Sequence, residues 1–93
     1  MVDVLATTPA RLFGLASKGA IEPGRDADLV LFDPAARRVL RQDDLHHTSD
    51  FTPFEEMDLA GAVRTVLVRG RPVIRDGQFV GRRGSGAFVE RAL

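Results

Sequence analysis

Apolar and polar positions divide the chain into a short helical start, a strand-rich body and a glycine-containing tail. Val2, Leu5 and Ala6 recur at helical spacing and predict one or two turns with a single apolar face. A second short helix is predicted from Thr8, whose hydroxyl suits an N-cap, with Pro9 at the first helical position, where no N–H is needed. Leu12 and Phe13 give that helix a buried side, and Gly14 is placed to end it in the left-handed conformation. The two helices are expected to meet at Thr7-Thr8.

Beyond the helices the period changes. Pro23-Gly24 fits a type II turn, Pro setting one dihedral and Gly supplying the positive φ. Leu29 to Phe32 is a continuous apolar run, the pattern of a strand covered on both faces, ended by Asp33-Pro34. Arg38 to Arg41 is predicted to return beside it as a short strand. Ala62 to Arg69, rich in Val and Thr, is the next strand; Gly70-Arg71 is the expected hairpin turn. Pro72 to Arg75 follows, with Pro pointing to a sheet edge or a strand's first residue. Asp76-Gly77 is a type I′ signal before Gln78-Phe79-Val80. Gln42 to Gly61 is left as one long irregular segment, a length that is usually functional or held by another part of a protein.

Composition narrows the classes. Ninety-three residues make one domain at most, and an apolar content of 44% is ordinary for a globular protein. Basic and acidic residues balance at thirteen each, so nothing selects nucleic acid or an anionic membrane. There is no Cys, hence no disulfide or thiolate metal site, and a cytoplasmic location is expected. The start lacks the basic region and long apolar run of a signal peptide, and no apolar stretch nears the ~20 residues of a bilayer span.

Two stretches carry a resemblance. Thr8-Pro9-Ala10-Arg11-Leu12-Phe13-Gly14-Leu15, followed by Lys18-Gly19, Ile21, Pro23-Gly24 and Asp26-Ala27-Asp28-Leu29-Val30-Leu31, then Asp33-Pro34, is similar to the C-terminal end of metal-dependent cyclic amidohydrolases. Dihydroorotases, allantoinases, dihydropyrimidinases and hydantoinases share that pattern. The run His46 to Glu55, the run Arg69 to Gly81 and the tail Gly84 to Val89 look most like dihydropyrimidinase and hydantoinase. Glu56 departs from the family's usual Gly, and Ala87 from a common Arg; loss of a residue suited to positive φ should alter the turn at Glu55-Glu56. The resemblance covers nearly all of this chain but about a fifth of a full enzyme, because a (β/α)₈ barrel alone takes ~250 residues.

The resemblance implies a mainly β fold: a partial β-sandwich, the composite small domain, with one or two short N-terminal helices from the end of a (β/α)₈ barrel. It implies residues 1–18 as the last barrel-type helices and linker, 19–80 as the sandwich portion with the loop 42–61, and 81–93 as the C-terminal tail, whose Gly81, Gly84 and Gly86 with Arg82-Arg83 read by themselves as flexible and basic. Family members hydrolyse cyclic amide C–N bonds with zinc or another divalent metal, held by a His-x-His pair, a carboxylated Lys, two later His and an Asp. This chain has no His-x-His, and its only Lys is Lys18. No catalytic, cofactor-binding or metal residue is carried over. A segment completing the sandwich and aiding oligomer contacts is expected, inactive alone; the other reading is a free-standing β module that binds a separately encoded catalytic chain or itself.

Local candidates have bland alternatives. Adjacent His46 and His47 point to opposite sides of an extended backbone, which disfavours one shared ion. His47, Ser49 and Asp50 contain triad residue types, but a triad is a geometry held by separate elements. Asp43-Asp44 and Glu55, Glu56 and Asp58 read as solvated loop charge, and Gly81, Gly84 and Gly86 with Arg82-Arg83 lack the setting of a phosphate loop. Asp26 and Asp28 are expected to cap the bend before the strand. Without further strands, exposed edges and an exposed apolar face are expected, with self-association as the consequence.

Overall fold

A computed structural model describes residues 1–92. It opens with one helical run rather than two helices meeting at Thr7-Thr8. Residues Asp3–Thr7 form a π-helical stretch that passes directly into α1, Thr8–Leu12. Thr7 and Thr8 both hold right-handed helical dihedrals, and neither caps anything. The cause is Pro9. Inside a helix, Pro offers no N–H and its ring presses on the carbonyl four residues back. The run widens by one residue just before it, so that the Thr8 N–H reaches Asp3 O.

The helix ends as the glycine predicts. Gly14 has φ +70°, its N–H donates to Arg11 O, and the Leu15 N–H donates to Ala10 O. Those two bonds make a Schellman motif, which satisfies carbonyls the helix would leave open. The turn at Pro23-Gly24 also forms: Gly24 has φ +89°, and the Arg25 N–H closes onto Glu22 O at 3.2 Å.

Four antiparallel strands follow in the order β1-β2-β3-β4. They are β1 Leu29–Val39, β2 Asp58–Val68, β3 Arg71–Arg75 and β4 Gln78–Phe79. Mainly β architecture with a short N-terminal helix is therefore established, as one layer of the expected sandwich. The strand boundaries differ from the pattern's in instructive ways. β1 does not stop at Asp33-Pro34 and return; it continues to Val39, with Arg38 opposite Leu59 on β2. The pairing breaks between Asp33 and Arg37, so Pro34, Ala35 and Ala36 bulge outward and Pro34 needs no ladder donor. The Asp33 carboxylate accepts the Ala35 N–H at 2.9 Å and stabilises the bulge.

Opposite that bulge lies Gly61, which with Ala10 is one of two buried residues among the described residues. Its φ is +91°, and a Cβ there would overlap the Phe32 ring. Gly61 thus belongs within β2, which begins at Asp58, so the irregular segment is shorter than the sequence pattern implies. The β2–β3 turn is Arg69-Gly70, one residue earlier than expected, with φ +50° and +79°. Arg71 consequently opens β3 opposite Val68. β3 lies between β2 and β4, but β4 pairs only with Ile74 and Arg75, leaving Pro72 beyond its reach. Asp76-Gly77 makes the predicted I′ turn, at φ +50° and +76°.

The apolar run of β1 is not covered on both faces. Val30 is 62% exposed and Phe32 58%, on a strand whose outer edge has no neighbour among the described residues. The Cα radius of gyration, 15.7 Å, exceeds the ~12 Å of a compact chain of this length. No helix is long and apolar enough to cross a membrane among the described residues.

Candidate functional site: a charged clasp between helix and sheet

The densest polar constellation lies where the helix hands over to β1. Lys18 Nζ sits 2.9 Å from Asp26 Oδ2 and 2.6 Å from Asp28 Oδ2. The Ser17 hydroxyl donates to Asp26 Oδ2 at 3.0 Å, and the Asp26 N–H donates back to Ser17 O at 2.9 Å. The other oxygen of Asp28 accepts the Arg69 N–H at 2.8 Å, forty-one residues along the chain. Beside it, the Gly70 N–H donates to Ala27 O at 2.9 Å. The β2–β3 hairpin tip is thereby tied to the entry of β1. Asp26 and Asp28 do more than cap a local bend, because the only lysine and a distant backbone amide converge on them.

Electrostatics follow the contacts. Hydrogen bonds from Lys18 hold the Asp26 and Asp28 carboxyls below their ordinary pKa; Ser17 adds to this at Asp26, and the Arg69 amide at Asp28. The same two carboxylates raise the Lys18 ammonium above its ordinary value. Neighbouring groups brace the clasp against the helix. Gly19, at φ +87°, approaches so closely that a Cβ would collide with that of Ala10. The Thr7 hydroxyl donates to Gly19 O at 2.7 Å. The Arg25 guanidinium donates to Ala16 O and Lys18 O and pairs with Glu22 at 2.9 Å. An open cleft of about 410 Å³ lies here, lined by Thr7, Arg11, Lys18 and Arg25 among others.

This arrangement anchors: the carboxylate oxygen that accepts the Ser17 hydroxyl is the one already paired with Lys18. The remaining sequence candidates are not brought together either. The Ser49 hydroxyl donates to Phe51 O at 3.2 Å rather than to His47, and both histidines are exposed. Asp43 and Asp44 lie in an exposed 3₁₀ turn, Gln42–Asp44. Glu55 accepts the Gln42 N–H at 2.6 Å, and Asp58 opens β2 opposite Val39. Glu56 takes the turn expected of Gly: its φ is +65°, its N–H donates to Leu40 O at 2.8 Å, and its carboxylate pairs with Arg41 at 3.2 Å. The turn is retained in spite of the substitution, at the cost of a left-handed Glu. The tail is anchored rather than loose: Arg69 donates to Ser85 O, and the Ala92 N–H to Gly14 O at 2.8 Å. No group of three or more His, Cys, Asp or Glu could hold a metal ion among the described residues.

What sequence reasoning missed is the role of Lys18. Its signal was available: a single Lys in a chain whose other cations are all Arg, a few residues before an Asp-Ala-Asp run.

The Amidohydrolase family model matches residues 1–73. The D-hydantoinase of Geobacillus stearothermophilus is 49% identical over 98% of this chain, and that of Streptomyces coelicolor 42% over the same share. Among solved structures, dihydropyrimidinase from Brevibacillus agri superposes with a TM-score of 0.88 at 46% identity over 98% of the chain. In each case the chain spans 20% of the relative's length. The chain thus matches a fragment of hydantoinase-like enzymes, and it belongs to the amidohydrolase family.

Proposed function

We propose that this chain is the C-terminal structural segment of a hydantoinase-type enzyme that hydrolyses cyclic amide C–N bonds. Its role is to complete the β-sandwich beside the barrel and to supply oligomer contacts; it does not catalyse alone. One observation carries the reading. β1 presents Val30, Leu31 and Phe32 on both its faces, all at least half exposed, in a chain matched along its length by enzymes five times longer. A strand apolar on both faces is stable only when layers cover it. The zinc or other divalent ion of such an enzyme would be bound in the barrel; no catalytic step is assigned to this chain's residues. A cytoplasmic setting accords with the absence of Cys.

The test is a chimaera. The matching fifth of the Geobacillus stearothermophilus D-hydantoinase is replaced by these 93 residues, and hydantoin hydrolysis is measured. Near-native turnover with a native-like melt is expected. A folded chimaera of the parent's oligomeric state with no turnover would overturn the proposal. Adding this chain in trans to the truncated enzyme separates the second reading: rescue there, without activity of the fused form, favours a free-standing module.

A further inference from the structure

Another cleft, of about 610 Å³, opens between the β2–β3 hairpin and the tail. Arg69, Arg71 and Arg82 line it, with Gly84 and Ser85 on its rim. Its lining contains no Asp, no Glu and no aromatic ring. The ion pairs of the described residues engage Lys18, Arg25, Arg41 and Arg64, and none of these three arginines. The Asp26 and Asp28 carboxylates near Arg69 are already taken by Lys18. Arg69 is also held in place: Asp28 fixes its backbone N–H, and its own Nη2 donates to Ser85 O. Among the described residues, the N–H groups of 82–86 donate to no backbone carbonyl, and the bond that reaches Ser85 is accepted by its carbonyl.

Three arginines without an ion-pair partner among the described residues, Arg71, Arg82 and the Ser85-bonded Arg69, line one cleft in a chain of zero net charge and concentrate positive potential there. The volume falls within the ~300–1,000 Å³ of small-molecule sites. Guanidinium forks match phosphate oxygens in paired hydrogen bonds, and an aliphatic floor of Val73 and Val80 offers no platform for a base. From this we infer that the cleft binds a compact multivalent phosphate of the diphosphate type. The donors outnumber the acceptors, so a ligand with several charged oxygens on adjacent centres satisfies more of them than a single carboxylate. The inference does not rest on the hydrolase reading, because it is argued from the lining of this cleft alone.

The experiment is calorimetric titration of the 93-residue chain with sodium pyrophosphate, with ³¹P line width as the second readout. Saturable binding that weakens with added salt is expected. Arg71→Gln and Arg82→Gln, both at exposed side chains, should each weaken it about ten-fold, the equivalent of ~1.4 kcal/mol. Arg37→Gln, on β1, should leave it unchanged. Absence of heat and of line broadening at millimolar pyrophosphate would overturn the inference. So would equal loss in Arg37→Gln, undiminished binding in the two cleft variants, or citrate binding as tightly as pyrophosphate.

Discussion

Gly61→Ala tests the joint between β1 and β2, and its cost can be worked from two separate sources. Gly61 is buried opposite the Pro34-Ala35-Ala36 bulge, at φ +91°, with the Phe32 ring against the place a Cβ would occupy. Holding an L-residue in the left-handed region costs about 1–2 kcal/mol. Forcing a methyl group into the ring adds overpacking of about 1–3 kcal/mol. The sum, roughly 2–5 kcal/mol, is a large share of what a small domain has. In a urea melt followed by far-UV circular dichroism, a slope of ~1–3 kcal/mol/M turns it into a midpoint shift of the order of 1 M or more. The same substitution in a Phe32→Leu background should cost only the strain, about 1–2 kcal/mol, because the ring is gone. Gly77→Val is the companion. Gly77 has φ +76° and nothing within 4 Å of a Cβ, so it should lose about 1–2 kcal/mol from strain alone. Equal midpoints for Gly61→Ala and the parent, or no difference between the two backgrounds, would refute the account of this joint.

Three further outcomes are expected. The clasp gives stability two pH limits. Asp26 and Asp28 have lowered pKa values, so their contribution is present above the unfolded carboxylate range and is lost as pH falls through the folded values. Lys18 is raised, so its contribution is present below its unfolded pKa and lost as pH rises through the folded one. Lys18→Met should flatten both limbs in melts across pH, and a profile identical to the parent's would contradict the clasp. The purified chain should not hydrolyse dihydrouracil or hydantoin with added Zn²⁺ or Mn²⁺; chelator-sensitive turnover would be the contrary result. In sedimentation velocity the isolated chain should self-associate through its apolar sheet face and the open edge of β1, whereas a compact monomer with a cooperative melt would show that it covers its own sheet.

Local chemistry was legible in the sequence wherever one or two residues decide the backbone. Gly14, Gly24 and Asp76-Gly77 took the positive φ that their turns require, since Gly lacks the Cβ that opposes it and Asp tolerates it better than most residues. The family was legible for the same reason: its turns and its Asp-Ala-Asp strand entry are short-range patterns. Strand extent was not. Asp33-Pro34 ends a strand by local rules, but β2 supplies partners on either side of the bulge and carries β1 on to Val39. Pro9 reads as a helix start until the helical turn before it is seen to continue through Thr8 and widen. Glu56 keeps the turn of a Gly because Leu40 and Arg41 hold it from across the loop. The clasp itself is a tertiary fact. Asp28 meets the Arg69 amide only after the β2–β3 hairpin has folded back, and no spacing rule links positions forty-one residues apart. Sequence alone determines what each residue prefers within a few neighbours; pairing across the sheet decides which preferences are overruled, because each ladder bond and buried contact is shared with a residue far along the chain.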